Sequence, residues 1–317
     1  MSAYLVRRLL ALIPTLLFAS MIVFVTVRLI PGDVIDMMLS QNDIGADKIS
    51  RVQLLAALGL DKPMPEQYVR WVWALLHGDF GRSLWQSTPV LEQLLQRLPV
   101  TFELGFLAML VGLAIALPIG VYSAMRQDTT GDIAARSLSI LLLAVPSFWM
   151  GTMVMVFPSI WWGWSPEVNY VKFSDDPLQN LKQMMVPAIV LGMALSAVTM
   201  RMTRTMMLEV LRQDYIRTAW AKGLTERLVV RRHALRNALI PVVTLIGLQA
   251  PLLIGGAVII EQIFVIPGMG LLLLEAVNQR DYPVITGVFL IVGVSVMLIN
   301  LLVDLSYGLL DPRVRHR

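Results

Sequence analysis

The sequence predicts an all-α, polytopic membrane protein with six transmembrane helices, N- and C-termini cytoplasmic, and a long external insertion between helices 1 and 2. Three observations carry this. Of the 317 residues 56% are hydrophobic and only 15% charged, with a mean hydropathy of +0.69. A soluble domain carries about 25% charged residues, so this composition cannot cover a water-facing surface. Several stretches reach the roughly 20 apolar residues that a helix needs to cross a bilayer. Lys and Arg are concentrated on one set of connections, as cytoplasmic loops require.

The predicted spans are 9–30, 100–125, 134–160, 186–207, 238–265 and 284–308. The first is too long for the apolar core of a signal peptide. It is followed by Arg28-Leu-Ile-Pro-Gly32 rather than by a small-residue cleavage site, so it is expected to stay in the membrane. An even number of spans returns both termini to one side. Residues 1–8, 126–136, 201–237 and 311–317 hold 16 of the 26 positive charges in 63 positions. The opposite connections, 31–99, 161–185 and 266–283, hold 9 in 112 positions. The basic side is therefore assigned to the cytoplasm. Fifteen of 22 acidic residues lean to the other face. The pI of about 9.5 is then a topology signal. Nucleic-acid binding would need a basic surface on a folded domain, and none is predicted.

The organisation that follows is an N-terminus with helix 1 (1–30), an external insertion (31–99), helices 2–6 (100–308) and a cytoplasmic tail (309–317). The insertion contains Leu54–Leu60, then Asp61-Lys-Pro-Met-Pro65, then an amphipathic run with Tyr68, Trp71, Trp73, Leu75 and Leu76. Tryptophan favours the membrane interface, and Trp161, Trp162 and Trp164 repeat that signal after the third span. The cytoplasmic loop 208–237 reads as two short helices, with Gly223 stopping the first and Thr225 capping the second. Pro146, Pro158, Pro241 and Pro251 are kink candidates.

Several chemistries are absent from the sequence. There is no cysteine, and His77, His233 and His316 are too scattered for a metal site by spacing. No phosphate-binding G-x-x-x-x-G-K-[ST], no H-E-x-x-H and no G-x-S-x-G occurs. The D-F-G triplet in Gly78-Asp-Phe-Gly81 lies on the external side with nothing else of a kinase. An intramembrane enzyme would need a deep catalytic pair, such as Ser with His or two Asp residues, yet no His and only one Asp fall within the spans. A secondary transporter would show broken helices with midplane ionisable residues, and neither pattern is convincing.

The intramembrane polar residues are Glu103 and Glu261, near the outer ends of spans two and five where they can reach water, and Asn300 with Asp304, four apart on span six. They are candidates for a polar pathway or for helix packing. Met193, Met200, Met202, Met206 and Met207 can serve an adaptable ligand surface or ordinary packing.

The most informative stretch is Asp214–Pro241. Small residues (Thr218, Ala219, Ala221, Gly223) make a low-profile helix end, ringed by Arg217, Lys222, Arg227, Arg231 and Arg232. Composition alone fits either a docking knob or ordinary loop charge. The order of residues resembles the EAA motif of ATP-binding cassette (ABC) importer permeases, in which three motif residues precede a glycine by a fixed spacing. Here Arg217-Thr-Ala-Trp-Ala-Lys-Gly-Leu224 matches the form R-T-A-x-A-K-G-L frequent in the dipeptide/oligopeptide/nickel type. His233-Ala-Leu-Arg-Asn-Ala-Leu-Ile-Pro-Val242 matches that type too, replacing the general I-x-L-P. Tyr4–Leu10, Arg28–Asp33, Leu58–Pro63, Gly78–Ser83, Pro146–Trp149, Pro267–Gly270, Arg280–Pro283 and Leu310–Arg313 extend the resemblance over nearly the whole chain. The long external insertion makes it similar to the first permease of such systems.

The resemblance implies that Arg217, Thr218, Ala219, Gly223, Leu224 and Glu226 form a coupling helix seated in a cytoplasmic ATPase, with His233 and Leu235 as supports. It implies that this chain is no enzyme and holds no cofactor, ATP and Mg being bound by partner ATPase subunits. The implied partners are a second homologous permease, one or two types of ATPase, an extracytoplasmic substrate-binding protein and the lipid bilayer. The implied location is the bacterial cytoplasmic (inner) membrane. Peptides are the expected cargo; nickel chelates, opines, glutathione and short sugars pass through relatives of the same design.

Overall fold

The computed structural model describes residues 2–29, 61–165, 167 and 169–310. Positions 31–60 of the predicted insertion and the tail from 311 lie outside the described residues, as does the side chain of Asp304. The described chain is helical, with one isolated β-bridge between Arg82 and Pro89. Eleven labels follow chain order: α1 (Ser2–Arg28), α2 (Met64–Leu76), α3 (Val90–Met125), α4 (Thr130–Ala144), α5 (Ser147–Trp162), α6 (Pro177–Leu211), α7 (Asp214–Ala221), α8 (Glu226–Leu228), α9 (Leu235–Phe264), α10 (Met269–Gln279) and α11 (Tyr282–Leu310). A π-helix, Val229–Ala234, joins α8 to α9.

Five of these helices are long and apolar enough to cross a membrane, or up to seven if each of two bent pairs counts as one span. The predicted third span is one of those pairs. It is not a single rod: α4 and α5 meet at 92°. Pro146 explains the break. It has no amide hydrogen and pushes the preceding residue out of helical backbone, and Val145 is extended at ψ 119. Pro158, Pro241 and Pro251 remain inside helices.

The chain divides into two compact units. One comprises 1–98 and 272–295. In it α2 lies against α1 through Phe24, Tyr68 and Trp71, whose ring centroids are 5.3–6.2 Å apart. Ser20 and Tyr68 share a hydrogen bond of 2.9 Å, and the Arg28 guanidinium sits 3.5 Å from the Phe24 ring centroid. The opposite face of α2 leaves Val69, Trp73 and Leu76 exposed. The segment after α2 turns at Gly78 and Gly81, both with positive φ. It is pinned to the start of α11: Ser83 Oγ donates to Asp281 Oδ2 at 2.5 Å, Leu84 N–H to the same oxygen at 3.1 Å, and Trp85 Nε1 to the Gln279 carbonyl at 2.7 Å.

The other unit comprises 99–271 and 296–317. Its centre is α6, whose candidate span is 61% buried against 17–33% for the others. The N-cap carboxylate of Asp176 accepts from Leu178 and Gln179 N–H, with Pro177 at the first helical position. Small residues let helix backbones approach within van der Waals distance. A Cβ on Gly192 would lie 2.5 Å from the Ala108 carbonyl, so α3 and α6 cross at that point. Val100, Leu104, Ala108, Met184, Leu191, Leu195, Leu253, Ile260 and Phe264 fill the core between α3, α6 and α9. Met200 and Met207 are also buried, which fits the packing reading of the methionine cluster.

Candidate functional site

The loop between α6 and α9 is built from its buried face outward. In α7, Ile216 and Ala219 are one helical turn apart and face a small core of Ala124, Met207, Val229, Ala234 and Ala238. Thr218 Oγ1 donates to the Asp214 carbonyl at 3.0 Å. Arg217 pairs with Asp214 at 3.3 Å, both largely exposed, where such a pair contributes little. The helix then stops at a Schellman turn. Gly223 N–H donates to the Trp220 carbonyl at 2.9 Å and Leu224 N–H to the Ala219 carbonyl at 3.4 Å. Gly223 has φ +75 with nothing within 4 Å of where a Cβ would stand. The glycine is thus required by backbone conformation and not by crowding. Leu224 closes the turn by packing on the same core.

The second predicted helix of the loop is not separate. Thr225 occupies the N-cap position without a side-chain cap bond. One turn later the chain enters the π-helix and runs into α9. Asn237 Nδ2 donates to Tyr215 Oη at 2.9 Å and to the His233 carbonyl at 3.0 Å, tying α7 to the root of α9. His233 and Leu235 are half-buried. Ala219, at 5% exposure, packs α7 against its own protein. The outward face is Tyr215, Arg217, Thr218, Trp220, Lys222 and Glu226. The sequence reading missed Trp220 and Tyr215. Two aromatics on a short helix otherwise made of small and polar residues were the available signal.

Among the described side chains, Glu103 and Glu261 have separate partners. Glu261 is corrected: it is fully buried and does not reach water. Its Oε1 accepts from Thr101 Oγ1 at 2.5 Å. Its Oε2 accepts from Gly270 N–H at 2.7 Å and Leu271 N–H at 3.1 Å, while Met269 N–H donates to Thr101 Oγ1 at 2.8 Å. Together they satisfy the free amides that open α10. Glu103 stands apart: its Oε2 accepts from Tyr170 Oη at 3.1 Å. Asn300 is half-buried on α11.

Asp132, a fully buried acid, was not singled out from sequence. Asp132 accepts from Arg204 Nε at 2.7 Å and Nη2 at 2.8 Å, and from Asp128 N–H at 3.0 Å. Ser123 Oγ also donates to it. Thr129, which caps α4 through Asp132 N–H, gave a capping-box signal, but nothing local marked Arg204, 72 residues away. Among the described residues no group of His, Cys, Asp and Glu could hold a metal ion.

Residues 116–316 match the family described as "Binding-protein-dependent transport system inner membrane component", and residues 1–105 match its N-terminal family. The chain is 42% identical to the dipeptide transport system permease protein DppB of Escherichia coli (strain K12), with 100% of both chains covered. It is 39% identical to the di/tripeptide transport system permease protein DppB of Pseudomonas aeruginosa (strain UCBPP-PA14), again with 100% of both covered. Among solved structures, the MetNI methionine ABC transporter in an inward-facing conformation matches with a TM-score of 0.57 at 17% identity, covering 69% of this chain and 96% of that one. At that identity the likeness concerns the fold.

Proposed function

Because the chain belongs to the family of binding-protein-dependent transport system inner membrane components, we propose that it is the first-type permease of an ABC importer for short peptides. It is a multi-pass inner-membrane transport component rather than an enzyme. In the proposed arrangement six spans place both termini in the cytoplasm. The bent pair α4–α5 counts as one span, and α10 stays at the external end. Six helices give half of a pathway, so a second homologous permease supplies the other half. The external insertion faces the substrate-binding protein. The exposed side of α2, with Val69, Trp73 and Leu76, rests in the lipid interface.

The chain has no phosphate-binding loop, so the energy must come from partner ATPases. The proposed coupling surface is the outer face of α7, with Arg217, Thr218 and Trp220, together with Glu226 at the start of α8. Ile216, Ala219, Leu224 and the Tyr215–Asn237 bond back it rigidly. A knob that cannot recoil transmits displacement of the ATPases into α6 and α9.

The observation that carries the peptide assignment is the 42% identity, from end to end, to a dipeptide permease. Reconstitution in proteoliposomes with a second permease, ATPases and a binding protein tests the proposal. ATP-dependent uptake of a labelled dipeptide is expected. Uptake of a nickel chelate or of glutathione with no peptide uptake would overturn the cargo.

A further inference from the structure

At the start of α6, Gln179, Lys182, Gln183 and Val186 follow the i, i+3, i+4, i+7 spacing that puts them on one face of the helix. That face forms one side of an open cavity of about 450 Å³, and Trp164 and Glu167, from the segment between α5 and α6, line it too. The Glu167 carboxylate is held against this face. Gln179 Nε2 donates to its Oε2, and Gln183 Nε2 donates to the same oxygen at 3.3 Å. Gln183 is itself fixed: its Nε2 also donates to the Asn169 carbonyl at 2.6 Å, and its Oε1 accepts from Val171 N–H at 3.0 Å.

Two opposite charges thus line one cavity without neutralising each other. The donors to Glu167 are neutral amides, so the carboxylate keeps its charge, and its Oε1 has no donor among the described residues. Lys182 follows Gln179 by one helical turn, a spacing of about 5–6 Å between Cβ atoms, and directly precedes Gln183. Its stem therefore stands beside both glutamines that hold Glu167. Its ammonium makes no ion pair or hydrogen bond among the described residues. Trp164, 42% exposed, supplies an apolar wall. An apolar wall with a few placed polar groups, in about 300–1,000 Å³, is the usual make-up of a small-molecule site.

We propose that this cavity receives a zwitterion, with its ammonium on Glu167 and its anionic group on Lys182. An ammonium is donor-only and suits the free carboxylate oxygen, whereas a carboxylate or phosphate accepts and suits the lysine. A ligand with a single charge satisfies half of the pair. An extended dipeptide spans at most about 7 Å, short enough to lie within a cavity of this size. If the peptide reading above holds, on which this step alone rests, the zwitterion is the cargo at the external mouth. A phosphatidylethanolamine headgroup carries the same two charges, and the test separates the two sources.

The test uses the full chain in maltoside micelles, which carry no charge, and reads affinity from the rise of the unfolding midpoint with ligand concentration. The probes are dialanine, N-acetyldialanine, dialanine amide and glycerophosphoethanolamine. Dialanine should bind about fivefold more tightly than either blocked form, as one exposed charge contact gives. Glu167→Gln should erase the difference made by N-acetylation and keep that made by amidation. Lys182→Gln should do the reverse. Both side chains are exposed, so neither substitution should shift the midpoint without ligand. Binding of glycerophosphoethanolamine in place of dialanine, weakened by both substitutions, would keep the zwitterion site and assign it to a lipid headgroup. Equal affinity for free and blocked dialanine with no response to glycerophosphoethanolamine would overturn the site, as would unchanged discrimination in both variants. Binding to the isolated chain does not depend on what is transported, so the peptide assignment can fail in the uptake assay while this site stands.

Discussion

Thr101 and Glu261, 160 positions apart, share a buried hydrogen bond of 2.5 Å and together receive the first backbone amides of α10. Two side chains on α3 and α9 thus cap the N-terminus of a third helix, where negative charge is favoured by the helix dipole. The glycines between them leave no room for alternatives. A Cβ at Gly268 would stand 2.2 Å from Glu261 Oε1, and one at Gly270 would stand 2.3 Å from Val258 Cα.

Thr101→Val should therefore leave the Met269 N–H unpaired and cost about 1–3 kcal/mol, the penalty for an orphaned buried donor. Gly268→Ala should cost more, because the carboxylate must move. Thermal unfolding in nanodiscs measures both. A Thr101→Val chain as stable as the parent would show that the clamp contributes nothing.

Asp132 and Arg204 are joined through two hydrogen bonds at 2.7 and 2.8 Å, with Asp132 fully shielded by its neighbours. Asp132→Asn should lower the unfolding midpoint and leave Arg204 facing a neutral amide. Arg204→Met added to it should cost less than it does alone. A double-mutant cycle should return a coupling of about 0.5–3 kcal/mol. Additive losses would mean that the pair is not energetically linked.

Gly223→Ala places an alanine in left-handed backbone, at a cost of about 1–2 kcal/mol, with no clash because the space is open. The fold should survive, and substrate-stimulated ATPase activity of the assembled transporter should fall. Gly223→Asn, which tolerates that backbone, should keep more activity. Trp220→Ala should leave the unfolding temperature unchanged, since its side chain is 42% exposed, and should reduce co-purification of the ATPase. Undiminished co-purification would remove Trp220 from the contact.

Burial raises the Asp281 carboxyl above its usual range, partly offset by the Ser83 hydroxyl and the Leu84 amide. The folded state then holds this proton more tightly than the unfolded chain. The Asp281 contribution is fully present below the unfolded value and is lost as pH rises through the folded one. Hydrogen exchange at Leu84 should quicken across that interval, and Asp281→Asn should flatten the dependence. An unchanged profile in Asp281→Asn would assign the effect to another group.

Much of the fold was legible because a bilayer imposes local rules. Helix length, apolar runs and loop charge are properties of short windows, so α1, α3, α6, α9 and α11 could be located from them. The broken third span was legible in part: Pro146 was marked, but its neighbours are apolar enough to read as one rod. In the loop, Gly223 and its stop could be read because a Schellman turn is a local backbone event. The burial of Ala219 could not, since it depends on Met207 and Ala238 from other helices.

By itself, then, the sequence determined the membrane class, the positions of the long apolar helices and the stop of α7 at Gly223. Tertiary structure decided which polar groups are spent and which are left over. Glu103 and Glu261 look alike in sequence, each an acid at the end of an apolar run. One is fully engaged by Thr101 and two amides, whereas the other keeps a buried oxygen without a donor. Whether a buried charge is satisfied depends on donors brought from distant segments, and no local pattern encodes that.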